Sequence, residues 1–308
     1  MYHLATLFPA VKRLPIPISR DQAMLLMMAL NELLLGVETY LAHIISGTIV
    51  QYEYIPIIFG PVAGLMLLFA GLLSWRKRSV ALVIALVVFL TSIVVGLLGA
   101  YFHLIRAILP TAPLENVFSV SLLVWAPPLL GPLTFSLVGL IGISSLWTED
   151  PPDSGTLRLF ERWRLTMPYS KTRAFFFMVS MASLATVISS VLDHARTDFS
   201  NPWLWLPTGI GIFAVVVAAL LGFSDQPGRS DLFIYLGAML LMILVGVVGV
   251  ILHIMRNLTT QNVIVVERFV RGAPFMAPLL FSDIGTIGLL VLMDPHEKPP
   301  KTQGQDLE

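Results

Sequence analysis

Gly96-Leu-Leu-Gly-Ala-Tyr-Phe-His-Leu-Ile-Arg106 is written a second time, 150 residues later, as Gly246-Val-Val-Gly-Val-Ile-Leu-His-Ile-Met-Arg256. Gly96, Gly99, His103 and Arg106 match Gly246, Gly249, His253 and Arg256 one for one, while the residues between them have diverged. Both copies lie in long apolar runs, where an imidazole and a guanidinium are costly. On a helix, residues three, four and seven apart share a face. The two glycines of each copy therefore lie on the histidine side. They are expected to leave a flat groove beside the imidazole, with the arginine about one turn beyond.

The duplication extends outward. Pro132-Leu-Thr-Phe-Ser-Leu-Val-Gly-Leu-Ile-Gly142 returns as Pro278-Leu-Leu-Phe-Ser-Asp-Ile-Gly-Thr-Ile-Gly288, with seven of eleven positions identical. Trp125-Ala-Pro127 echoes Gly272-Ala-Pro274, Asp150-Pro151 echoes Asp294-Pro295 more loosely, and Leu41-Ala-His43 matches Leu192-Asp-His194. Eight apolar runs lie near 22–47, 54–75, 79–106, 121–147, 173–195, 203–223, 232–256 and 272–293, each near the roughly 20 residues a bilayer needs. The expected fold is an all-α integral membrane protein of eight transmembrane helices. Runs one to four repeat as five to eight, giving two tandem four-helix bundles. An even number of runs per unit makes these parallel repeats, related by an axis along the membrane normal.

Composition agrees. Of 308 residues 56% are hydrophobic and 12% charged, and mean hydropathy is +0.83. Zero net charge gives no sign of nucleic-acid binding, and the absence of cysteine removes disulfides, thiolate metal sites and Cys nucleophiles. Lys12, Arg13, Pro15, Pro17 and Arg20 interrupt the N-terminus, which does not read as a cleavable signal. With that terminus inside, 14 of the 19 Lys and Arg residues fall inside and 5 outside, so both termini are expected to be cytoplasmic. Trp203 and Trp205 suit the outer interface, and Trp75 and Trp147 the inner one.

Segment 1–21 reads as a cytoplasmic N-terminal piece, 22–147 and 173–293 as the two membrane units, and 294–308 as a disordered cytoplasmic tail. The linker 148–172 opens with a turn-rich stretch, then mixes Leu157, Phe160 and Trp163 with Arg158, Arg162 and Arg164. That pattern fits a short basic amphipathic helix on the inner leaflet, or a solvated charged loop.

Four of the six histidines, His43, His103, His194 and His253, sit at matched places near the outer ends of runs one, three, five and seven. Two imidazoles facing each other across a bundle are how b-type haem is held. On that reading Gly96, Gly99, Gly246 and Gly249 would clear space for the macrocycle, and Arg106 and Arg256 would meet its propionates. A plainer reading stands beside it: each His bonds a neighbouring carbonyl, the glycines serve helix packing, and the arginines reach for the interface. A third has all four histidines converging on the pseudo-twofold axis around one non-haem iron, copper or zinc.

Three polar residues break the repeat. Asn31 and Glu32 near the middle of run one fall on Ala182 and Ser183, and Asp283 in run eight falls on Leu137. Buried acids in hydrocarbon suggest a proton or quinone path. The alternative is a protonated acid bonded to a neighbouring helix. Glu38, matched by Ser189, is also confined to one unit, and Asn257-Leu-Thr259 forms a sequon. Walker, dinucleotide-binding, His-Glu-x-x-His and Ser-His-Asp patterns are absent from the sequence. In helix count alone the chain resembles the quinone-reactive membrane subunits of the polysulfide-reductase type, with no shared motif. Two functions follow as expectations. One is an electron-transfer subunit binding haem b and exchanging electrons with quinone and a redox partner protein. The other is a haem-free transporter, channel or assembly subunit.

Overall fold

The computed structural model describes residues 3–13, 17–45, 47–74, 76–108, 124–160, 163–259, 261 and 263–295. Among these residues six helices are long and apolar enough to cross a membrane: α2 (Arg20–Ile44), α3 (Tyr54–Ser74), α4 (Arg78–Ile108), α6 (Lys171–Ala195), α7 (Trp205–Phe223) and α8 (Arg229–Asn257). Leu65, Phe69 and Leu72 on α3 and Leu220 and Phe223 on α7 are exposed, as contact with lipid requires. The expected runs four and eight yield shorter helices, α5 (Leu130–Leu146) and α10 (Leu279–Val291), of 17 and 13 residues. Pro127, Pro128, Pro274 and Pro278 account for this, because proline has no N–H for the helical ladder.

Both halves start the same way. Ser19 caps α2 in a capping box with Gln22, and Ser170, 151 residues later, caps α6 by accepting from the Arg173 amide. In the first half α2 packs on α3, α3 on α4, α4 on α5 and α5 back on α2. In the second, α6, α7, α8 and α10 close the same ring. Between the halves α5 meets α6 and α10 meets α2.

The linker does not form the expected basic amphipathic helix. It is a three-stranded antiparallel sheet of β1 (Thr148–Glu149), β2 (Thr156–Phe160) and β3 (Trp163–Thr166), in strand order. Alternation explains it: Leu157 faces Leu165 across the ladder and Arg158 faces Arg164, a period of two rather than 3.6. Leu157 is buried in the core, and Trp163 and Leu165 are exposed. Trp147 belongs to the buried core, and Trp75 and the tail beyond Pro295 lie outside the described residues.

The seam between the halves is tied at the end where both capped helices begin. Arg20 and Lys171, matched by the 151-residue offset, are each 1% exposed. Lys171 Nζ donates to Asp21 Oδ2 and to the Trp147 carbonyl, both at 2.5 Å. Arg20 Nη1 donates to Thr172 Oγ1 at 2.7 Å, and its Nε to Asp21 Oδ1 at 3.2 Å. Both cations lie over the Phe175 ring. The N-terminal segment closes the second half at this end through α1 (His3–Leu7). The Leu4 amide donates to Leu292 O, and Arg229 donates to Leu7 O.

Candidate functional site

The four histidines lie at the other end. His43 on α2 and His103 on α4 come from diagonal corners of one ring, and their ring centroids are 6.1 Å apart with planes tilted by 59°. His194 and His253 lie within electrostatic reach of each other in the second ring. Hydrogen bonds fix the tautomers. His103 Nδ1 lies 2.9 Å from the Pro128 carbonyl, and His253 Nδ1 lies 2.9 Å from the Pro274 carbonyl. His43 Nδ1 lies 2.7 Å from Thr39 O. A carbonyl can only accept, so in all three Nδ1 carries the hydrogen and Nε2 the lone pair. His194 Nδ1 meets Ser190 Oγ at 3.3 Å, a contact open to either sense.

The carbonyls that His103 and His253 engage belong to the proline-broken lead-ins to α5 and α10, where the backbone cannot satisfy itself. These two histidines thus hold irregular chain in place, as the plainer sequence reading expected. The same bond orients the ring for use of Nε2, the usual arrangement behind a metal-binding imidazole.

The glycines do something other than open a groove. A Cβ on Gly96 would lie 2.6 Å from Ser136 N and 2.9 Å from Pro132 O, and one on Gly99 would lie 2.7 Å from Pro132 Cβ. Gly246 meets Ser282 N and Pro278 O at 2.6 and 2.8 Å, and Gly249 meets Pro278 Cβ at 2.7 Å. In both halves the glycines seat the next helix. Their clearance is taken up by the Pro-x-x-x-Ser face of α5 or α10, held further by Ser136 donating to Ile93 O and Ser282 to Ile243 O. In each copy the sequence signal marks a helix contact.

The histidines lie beyond the point where the core stops. Apart from Ala100, no described residue is buried on α2 beyond Gly36, on α4 beyond Gly96, on α3 before Gly60 or on α5 before Phe135. The second ring repeats this: α6 has none beyond Val187, α7 none before Thr208, α10 none before Phe281, and α8 none between Gly246 and Asn257. The four imidazoles are half-buried, seven residues or about 11 Å beyond those last core layers. Arg106 is exposed at the rim, 3.7 Å from Glu53. The Arg256 carbonyl accepts from Arg268. Asn257 is buried and exchanges two 2.8 Å hydrogen bonds with Ala273, so the sequon is not a free glycan acceptor. Among the described residues no three His, Asp or Glu side chains gather around one ion position, which separates the two pairs from the converging four-histidine arrangement.

The repeat-breaking acids face inward. Glu32 is fully buried, and its Oε1 lies 2.5 Å from Ser92 Oγ. Asn31 Nδ2 donates across the seam to Asp283 Oδ2 at 3.0 Å. Sequence reading missed Arg20, Asp21 and Lys171 as a seam cluster, although the 151-residue offset aligns Ser19-Arg20-Asp21 with Ser170-Lys171-Thr172. Comparison with protein-family models, curated proteins and solved structures returned no match.

Proposed function

We propose that this chain is a membrane electron-transfer subunit that binds one b-type haem at each histidine pair and serves quinone and a redox partner. The observation that carries the reading is the His43–His103 pair. Their ring centroids are 6.1 Å apart, close enough that one metal ion would be within reach of both rings. The half-burial of the imidazoles and the Nδ1-donating tautomers support it. Haem supplies one-electron chemistry when bound. The chain's own residues position it: Pro128, Pro274 and Thr39 carbonyls fix the rings, and Arg106 and Arg256 offer cations at the rim. The glycines are not part of the haem site, because their clearance is filled.

The same proposal includes eight crossings in two parallel repeats. Support comes from the ends of the helices. α4 finishes at the histidine end, whereas α6 begins beside Asp21 at the opposite end, so the chain returns across the molecule between them, through α5. α8 likewise finishes at the histidine end, and Asp294 accepts from the Arg20 amide at the other, so α10 makes the eighth crossing. The Lys and Arg distribution puts the histidine end outside.

Purified protein from haem-replete cells should be red, with a sharp α band on reduction. His103→Ala should remove one haem and His253→Ala the other. A colourless preparation would overturn the haem reading, and metal analysis would then separate a plain metal site from a haem-free transporter or assembly subunit.

A further inference from the structure

The linker sheet has one apolar face, and that face is wider than the protein beneath it. Leu157 on β2 pairs with Leu165 on β3, and Arg158 with Arg164. Paired residues share a face of a sheet, and residues two apart on one strand share it again. Leu157, Leu165 and Trp163 therefore lie on one face, and Arg158 and Arg164 on the other. The irregularity in the register falls between Arg158 and Phe160 on β2, so it leaves Trp163 and Leu165 together. On β2 the apolar face is covered: Leu157 is 5% exposed within the core, and Leu159 packs against that core. On β3, an edge strand, it is bare: Leu165 is 49% exposed and Trp163 71%.

The direction of this face follows from what it covers. The core that takes in Leu157 also holds Trp147, next after α5, and Phe175 and Phe176 near the start of α6. The sheet thus lies on the ends of membrane helices, and beyond the edge of the protein the same face looks onto the bilayer. The root of β3 stands at bilayer level. It runs by Tyr169 into α6, with the Tyr169 ring 5.5 Å from Phe177 and Phe177 4.9 Å from Phe223. Phe223 is the exposed last residue of α7, so Tyr169 sits at the membrane–water boundary, where tyrosine and tryptophan collect. Backbone amides fix the sheet there: Glu149 Oε1 accepts from Gly155 N and Lys171 N at 2.7 and 3.0 Å, and Met167 N donates to Gly155 O at 2.8 Å.

We propose that β3 is an interfacial foot: Trp163 and Leu165 enter the lipid headgroup region at the face where α2 and α6 begin, while Arg158 and Arg164 stay in water. On that wet side Arg158 lies 3.5 Å from Asp150. Lipid is the occupant, because the bare face continues one already packed on membrane helices. Tryptophan suits it, with a large apolar ring and an N–H that headgroups or water satisfy. The proposal rests on the membrane reading alone and needs neither haem nor the assignment of sides.

The chain has no cysteine, so a spin label can be placed at one position at a time. Labels go on Trp163→Cys, Arg164→Cys, Leu165→Cys and Thr166→Cys, in phosphatidylcholine nanodiscs holding one copy of the protein. Leu220→Cys on α7 gives the lipid standard, and Glu267→Cys on α9 (Val266–Arg271), an exposed helix, the water standard. Relaxation by O2, which concentrates in lipid, relative to a water-soluble nickel chelate should be about fivefold higher at the Trp163 and Leu165 positions than at Arg164 and Thr166. Unlabelled protein gives a second readout. The fluorescence that Trp163→Phe removes should be quenched in vesicles of phosphatidylcholine brominated near the headgroup end of its chains. Equal nickel access at all four positions would overturn the foot. So would labels at Trp163 and Leu165 shielded from both reagents, the mark of cover by protein, or an unquenched Trp163.

Discussion

At Gly96 and Gly246 one hydrogen atom decides how two helices meet. An added methyl would press on backbone nitrogen at 2.6 Å in both halves, and backbone cannot turn aside as a long side chain can. Gly96→Ala and Gly246→Ala should each cost about 1–3 kcal/mol, read as a lower unfolding midpoint in detergent. An unchanged midpoint would return these glycines to a ligand role. His3 makes a different residue-scale case. It is buried beside Phe176 at 5.7 Å between ring centroids, and burial pushes its imidazole down from 6.5 to about 4. Above pH 6.5 the docked and undocked states are both neutral there, so docking of α1 is at full strength. As pH falls from 6.5 towards 4, only the undocked segment gains the proton, and docking weakens by up to about 1.4 kcal/mol per pH unit. Hydrogen exchange at the Leu4 amide, which donates to Leu292 O, should show protection lost across that window. His3→Leu should remove the pH dependence, and an unaltered profile in that variant would place its origin elsewhere.

The long helices were legible because twenty-odd apolar residues with capping serines leave little choice. The histidine pairs were legible because duplication kept them while their neighbours drifted. α5 and α10 were read too long: hydropathy sees apolar residues and is blind to the missing N–H of Pro128 and Pro278. The linker was read with the wrong period, since five residues of β2 offer too short a window to tell two from 3.6. The glycines were read on the correct face with the wrong neighbour, because sequence does not say which helix lies across from them. The Lys171 cluster was invisible for a related reason: its partners are 150 residues away. Element ends now make a firm prediction there. Asp21→Asn leaves Arg20 and Lys171 buried without their shared anion and should cost roughly 3–5 kcal/mol, because breaking a buried pair strands its partner. Adding Lys171→Met to Asp21→Asn should recover part of that loss, because one of the two stranded cations is removed. A single variant as stable as wild type would show that the cluster is hydrated and carries no such strain.

At the scale of the whole molecule the contacts that join the two halves include Arg20 to Thr172, Lys171 to Asp21 and Asn31 to Asp283. Those same contacts bear on how often the chain crosses. Arg20 and Lys171 begin their helices side by side, and Asp294 returns to the Arg20 amide, which supports the proposal that each half leaves and comes back an even number of times. α5 and α10 are too short to be recognised as spans by length, and on the proposed eight-span topology they make the return in each half. A reporter fused after Ser154 should therefore lie in the cytoplasm, one after Thr259 outside, and one after Gln303 in the cytoplasm again. The first two positions are separated by α6, α7 and α8, all long enough to cross, so their opposition tests the basic-residue assignment of sides. The third tests α10 itself. A Gln303 reporter on the same side as Thr259 would mean that α10 dips and returns. The ends of α2 and α6 would then no longer share a face with the tail, and the parallel relation of the halves would fall with it.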